Sequence, residues 1–154
     1  GISWRGGTSR TRSRLRSISL GDWRPVLDLP GTTFVSLQYH RDAPEEVDAF
    51  RRDTGIAIHH WAEAIDDYDE TAALVCALDA VVSVCTAVVH LGGALGRPVY
   101  VVVPFSPEWR YGLVGDSMPW YPSVKLFRQR EVGEWRGPIA EIRDALRPGF
   151  PLGG

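Results

Sequence analysis

The stretch Ala80–Pro104, AVVSVCTAVVHLGGALGRPVYVVVP, restricts this chain to a narrow set of folds. Two continuous apolar runs, Ala80–Val84 and Val99–Val103, are short and rich in Val, the pattern of strands covered on both faces. Between them Thr86 is placed to cap a helix whose apolar residues recur on a helical period through Leu95. Gly96 can stop that helix in a left-handed conformation, and Pro98 prevents its continuation. Strand, helix and strand in such quick succession make a βαβ unit with parallel strands and a right-handed crossover. Ligands of parallel sheets sit beyond the carboxyl ends of the strands. Cys85, Thr86 and Ala87 therefore mark a candidate site, with the free amides of a helix start directed at its occupant.

The rest of the chain extends this alternation. Ile2–Trp4 reads as the first strand, Gly6–Arg16 as a loop, and Ser19 as the cap of a short helix ending near Leu29. Thr33–Leu37 is the second strand. A polar amphipathic helix follows from Asp42 or Ala43 to Thr54, with Pro44 in its first turn and Glu45 and Glu46 beside its positive end. Ile56–His59 is a third strand, Glu63–Glu70 an acidic loop, and Asp67 or Asp69 caps a helix running to Leu78. Beyond the central unit, Ser106–Pro122 reads as irregular, Val124–Phe127 as the last strand and Pro138–Leu146 as the closing helix. The expectation is an α/β three-layer sandwich around a doubly wound parallel sheet, spanning residues 1–148 with a frayed tail at 149–154.

Composition narrows the function classes. A chain of 154 residues with 44% hydrophobic and 23% charged residues is long enough for one soluble domain with a proper core. A formal net charge of -2 argues against a general nucleic-acid binder. No apolar run is long enough to span a bilayer, and no signal-peptide pattern opens the chain. Cys76 and Cys85 both lie in apolar surroundings and read as buried, reduced thiols of a cytoplasmic protein. The opening Gly1-Ile2-Ser3-Trp4 reads as the inside of a strand, the expectation for a piece of a longer polypeptide. A missing partner domain and an open sheet edge would both favour homo-oligomers.

Three groups of residues could carry chemistry. In the loop GGTSRTRSRLR, glycines allow close backbone approach, Thr8 and Ser9 offer hydroxyls, and arginines can grip phosphate in bidentate fashion. The alternative for such a stretch is a solvated basic loop; it carries no Walker pattern. Thr86 and Ala87 at a helix start form an anion site or a simple cap, with His90 one turn on along the same face, as a ligand contact or a hydrogen-bonded core residue. Trp109, Tyr111, Trp120 and Tyr121 could stack on a base or sugar, or plug the sheet edge. His59 and His60, adjacent on a strand, point to opposite faces and make no zinc site, so no metal is expected. The acidic residues between 63 and 70 fit a solvated face and a helix cap. A nucleophile elbow and a G-x-G-x-x-G fingerprint are both absent from the sequence.

The runs Asp69-Glu70-Thr71-Ala72-Ala73-Leu74, Leu78–Val84, Thr86-Ala87-Val88-Val89-His90-Leu91 and Ala94-Leu95-Gly96-Arg97-Pro98 resemble the carboxyl-terminal half of GT-B glycosyltransferases. The segments Pro107–Arg110, Ser117–Pro122 and Leu126–Gln129 extend the likeness, which is specifically to heptosyltransferase-type (glycosyltransferase family 9) proteins and their relatives fused to tetratricopeptide repeats. The resemblance covers nearly the whole chain. It implies a Rossmann-like domain, one half of a GT-B fold, that binds a nucleotide-sugar donor without a metal or other cofactor. By the same resemblance Thr86, Ala87 and His90 sit near the donor diphosphate. Thr8, Ser9 and an arginine such as Arg10 or Arg14 then supply contacts from the loop after the first strand, and Gln38 and Tyr39 lie toward the nucleoside. One departure is visible: the family carries an acidic residue immediately before the Thr, where this chain has Cys85. A thiol is a far weaker acceptor than a carboxylate. In a GT-B enzyme the acceptor site and catalytic base lie on the amino-terminal domain, which this chain lacks. The expectation is a donor-binding half that is inactive alone. The alternatives are a non-catalytic GT-B-like module for partner or carbohydrate contact and, more remotely, an unrelated doubly wound nucleotide-binding or hydrolase domain.

Overall fold

The computed structural model describes residues 1–7 and 13–147. Strand β1 (Ile2–Ser3) leads through a 3-10 turn at Ser13–Leu15 to the short helix α1 (Arg24–Leu27). Then come β2 (Phe34–Val35), α2 (Ala43–Thr54), β3 (Ile58–His59), α3 (Ala62–Asp66) and α4 (Tyr68–Ala77). The central unit is β4 (Val81–Val84), α5 (Ala87–Ala94) and β5 (Val99–Val103). A 3-10 turn at Trp109–Tyr111, β6 (Ser117–Met118), β7 (Tyr121–Arg128) and α6 (Arg136–Leu146) complete the order.

The main sheet runs β1-β4-β5-β7-β6, parallel except for β6. β2 and β3 form a parallel pair, and a bridge between Ile2 and Ser36 joins that pair to the free side of β1. The strands thus read β3-β2-β1-β4-β5-β7-β6 across the molecule, an α/β arrangement compatible with a Rossmann-like fold.

Period-two alternation in the strands builds a core on each face of the sheet. Tyr100 and Val102 of β5 pack with Val82, Val84 and Phe127 against Trp23 and Val26, against Val47 and Phe50 of α2, and against Ile139 and Ile142 of α6. Val99, Val101 and Val103 pack on the other face against Val75 of α4 and Val88, Val89 and Leu91 of α5. Every residue of β4 and β5 is buried, the outcome expected of Val-rich strands covered on both faces, and only Ser83 among them is not apolar in character. Each such side chain contributes roughly 1.5–3 kcal/mol by leaving water. Gly96 follows α5 at φ 67°, the left-handed stop its sequence position called for.

Several expectations need correction. The acidic stretch after β3 is not a loop: α3 occupies Ala62–Asp66, and Asp67 breaks away in extended conformation to cap α4 by accepting from the amides of Asp69 (2.8 Å) and Glu70 (3.0 Å). Thr86 is the residue before α5 but its hydroxyl makes no cap; it meets the Ser83 hydroxyl at 3.1 Å. β7 is longer at both ends than Val124–Phe127, because the segment expected to be irregular supplies β6 as its antiparallel partner. The helix after Ser19 begins late; Ser19 instead closes a turn through Asp22. Cys76 is exposed rather than buried, and both cysteines are free thiols. The tail expected to fray lies outside the described residues. Among the described residues no helix is long and apolar enough to cross a membrane, and no group of three or more His, Cys, Asp or Glu could hold a metal.

Candidate functional site

β1 and β4 are neighbours in register, Ser3 beside Ser83, yet the helices that follow them, α1 and α5, pack in the cores on opposite faces of the sheet. A crevice opens wherever parallel strands diverge in this way. Here it is a cleft of about 460 Å³ lined by Gly7, Arg16, Tyr39, Cys85, Thr86, Ala87, His90, Glu108, Arg110 and Tyr111.

The loop after β1 is drawn over the end of β4. Ile18 donates from its amide to the Trp4 carbonyl (2.9 Å), and the Ser17 hydroxyl bonds both the amide and the carbonyl of Gly6. Gly6 passes so close to β4 that a β-carbon there would lie 2.8 Å from the Cys85 carbonyl oxygen. Only glycine fits that approach. The closed base delivers Arg16 into the cleft, its side chain only 14% exposed. One Arg16 terminal nitrogen donates to the Cys85 carbonyl at 2.7 Å, and the other pairs with Oε1 of Glu108. Oε2 of the same carboxylate takes Arg110 at 2.6 Å, whose guanidinium also covers the Trp109 ring. The Nε atoms of Arg16 and Arg110 are buried with no hydrogen-bond partner among the described residues.

Helix α5 forms the opposite wall. Thr86 is extended (φ −131°, ψ 174°) and the first turn bond is Val89 to the Thr86 carbonyl, so the amides of Ala87 and Val88 precede the helical ladder. One turn on, His90 packs between Tyr111 and Tyr121, with ring centroids 6.1 and 5.9 Å away. Burial, and secondarily the Arg110 charge, hold its pKa below the ordinary value. The neutral imidazole is therefore the favoured form beside the cleft.

The floor is inert. Cys85 is 2% exposed and donates to the Val102 carbonyl at 3.7 Å. Burial pushes its thiol up from 9.0 to about 12, and the same desolvation raises the Tyr111 phenol. Both groups keep their protons at neutral pH, so neither supplies a nucleophile or a base. The loop bearing Glu108 and Arg110 is fastened from behind by Arg128, whose guanidinium donates to the carbonyls of Gly115 (2.6 Å), Gly112 (3.0 Å) and Tyr111.

Thr86, Ala87, His90, Cys85 and Tyr39 thus come together on one cleft, Tyr39 from the β2 side with its ring stacked on His40. Arg14 is exposed on the 3-10 turn and does not line it. Thr8, Ser9 and Arg10 lie outside the described residues. Gln38 is buried away from the cleft: its Oε1 accepts from the amides of Trp4 (3.0 Å) and Arg5 (2.8 Å), and its Nε2 donates to the Arg5 carbonyl (3.1 Å). That side chain continues the β1–β2 pairing where the strands end. Sequence reading missed Arg16, Glu108 and Arg110 as a unit; the available signal was the Glu-x-Arg spacing next to Trp109.

Over 129 residues, 81% of this chain, the sequence is 38% identical to protein FlbA of Caulobacter vibrioides. The matched region spans 21% of that protein's length, so the chain is similar to about a fifth of FlbA. No family model matches the chain. No solved structure matches it either.

Proposed function

We propose that this domain binds the diphosphate of a nucleoside-diphosphate sugar and serves as the donor-binding half of a GT-B glycosyltransferase. The observation that carries the reading is the cleft between the diverging ends of β1 and β4, where the first amides of α5 and the guanidinium of Arg16 face one space. Helix-start amides and a guanidinium fork are the two chemistries that hold phosphate oxygens best. The α/β sheet with strand order β3-β2-β1-β4-β5-β7 supports it, because dinucleotides and nucleotide sugars seat at such a switch point. The resemblance of the Thr86–Pro98 run to family 9 glycosyltransferases is the third support.

In this reading Thr86, Ala87 and Arg16 hold the diphosphate, and Tyr39 borders the nucleoside. As the glycosidic bond breaks, charge grows on the leaving nucleoside diphosphate, and fixed dipoles and a cation already aimed there lower the barrier. The catalytic base and acceptor site belong to a second domain of the same polypeptide, and the assembled protein acts in the cytoplasm. A titration of the chain with ADP, UDP, GDP and their sugars, followed by amide chemical shifts, tests this. Shifts at Thr86, Ala87, His90 and Arg16 with one preferred base are expected; silence across the panel rejects it.

A second reading has its own observation. Cys85, with its proton firmly held, stands at the position before Thr86 where a carboxylate would accept a sugar hydroxyl. That favours a module which keeps the fold for contact with a partner or carbohydrate and has lost transfer chemistry. Binding of a nucleoside diphosphate with equal affinity for the free nucleotide and its sugar is the outcome that would select it.

A further inference from the structure

We propose that Glu108 is an internal counter-ion holding the place of the ligand's diphosphate, displaced when that group binds between Arg16 and Arg110. The inference rests on the diphosphate reading of the cleft and adds how the site is kept when empty. Three observations carry it. The two oxygens of one carboxylate are divided between two guanidinium groups, Oε1 to Arg16 and Oε2 to Arg110, both on the cleft wall. That is the geometry in which an oxyanion bridges two arginines. The Nε donors of both arginines are buried and without partners among the described residues, so the carboxylate leaves part of the hydrogen-bonding capacity of the pair unused. Finally, Glu108 itself is free to leave. It sits in extended conformation (φ −69°, ψ 150°) ahead of the Trp109–Tyr111 turn, with its side chain 31% exposed and a path to solvent.

A diphosphate outcompetes this carboxylate for a physical reason. It presents oxygens on two phosphorus atoms, enough for both guanidinium forks and for the amides at the start of α5, whereas Glu108 answers only the forks. Without ligand the pairing offsets the like charges of a largely buried Arg16 and a partly exposed Arg110 on the cleft wall. Glu108 therefore sets a threshold: ligands with one oxyanion gain too little to displace it, and diphosphates gain enough.

The test is calorimetric titration of the purified chain with inorganic pyrophosphate, sulfate and nucleoside diphosphates, in the wild type and in Glu108→Gln, Glu108→Asp and Arg16→Gln. Glu108→Gln keeps the side-chain shape and removes the competing charge, so pyrophosphate is expected to bind about tenfold tighter. Glu108→Asp, whose shorter carboxylate reaches one arginine at most, gives an intermediate gain and serves if the Gln variant melts early. Arg16→Gln loses binding. Equal or weaker pyrophosphate binding by both Glu108 variants, with binding by the wild type intact, overturns the counter-ion role and leaves the diphosphate reading standing. Sulfate binding as tightly as pyrophosphate overturns the threshold. Absence of binding by every form to every ligand overturns both.

Discussion

Two polar clusters lie at the carboxyl end of the same sheet, one on each side of β1. On the β2 side, Gln38 is wholly buried and each of its polar atoms meets backbone or a neighbouring hydroxyl: the amides of Trp4 and Arg5, the carbonyl of Arg5, the Ser3 hydroxyl. On the β4 side, Arg16 and Arg110 share one carboxylate and keep buried Nε donors without a partner among the described residues. Of the two clusters, the first is removed from water and the second is partly exposed, with Arg16 its most buried member. The first is closed, because the fold itself supplies every partner. The second is open, with hydrogen-bonding capacity left over and a cleft in front of it. Buried polarity alone does not separate a site from scaffolding; unfilled capacity together with a cleft in front of it does.

Substitutions can break that contrast. The largest expected effect is at Gln38. Gln38→Leu leaves two buried amides without an acceptor and should cost about 3 kcal/mol in urea unfolding, with pyrophosphate affinity unchanged while the protein stays folded. A loss of affinity without a loss of stability would place Gln38 in the site after all. Gly6→Ala tests the seam between the clusters. Its new methyl meets the Cys85 carbonyl, and the strain should cost about 2 kcal/mol and shift the amide resonances of both Arg16 and Thr86.

Cys85→Ala should cost about 1 kcal/mol at neutral pH from lost packing. Its sharper signature is alkaline. A raised thiol pKa stabilises the fold fully below the ordinary 9.0 and loses that contribution as pH climbs through about 12. The fall in unfolding free energy over that range should be shallower in Cys85→Ala, and identical slopes would show that the thiol is not held in its protonated form. The smallest stability change belongs to Arg110→Gln. Its partly exposed ion pair with Glu108 is worth no more than about 0.5 kcal/mol, yet pyrophosphate binding should weaken about tenfold. Equal damage to both quantities would erase the distinction between the clusters.

The elements whose determinants are local were legible in the sequence. The apolar runs of β4 and β5, the Pro44–Glu46 start of α2 and the stop at Gly96 all appear where short-range chemistry puts them. So did the crevice at Cys85, Thr86 and Ala87, which follows from strand direction alone. The charged trio was not legible. Arg16 meets Cys85 across 69 residues of sequence and Glu108 across 92, and neither pairing leaves a periodic trace. The acidic stretch before α4 misled because exposed helices and loops share a polar composition; in Ala62–Asp66 only Ile65 packs against the core that α4 also covers. Gln38 entered through the family resemblance alone; its bonds to the backbone of Trp4 and Arg5, far earlier in the chain, leave no local trace in the sequence.

Arg128 has a consequence for how this domain can diverge. Its guanidinium grips the loop at 111–115 only through main-chain carbonyls, and the side chains of Leu113 and Val114 within that loop point into solvent. The loop's path is thus held by one residue of β7, by buried Tyr111 and by the positive φ of Gly112 and Gly115, while Leu113 and Val114 at its tip are free to change. A lineage can redraw that tip without losing the frame that keeps Glu108 and Arg110 facing Arg16.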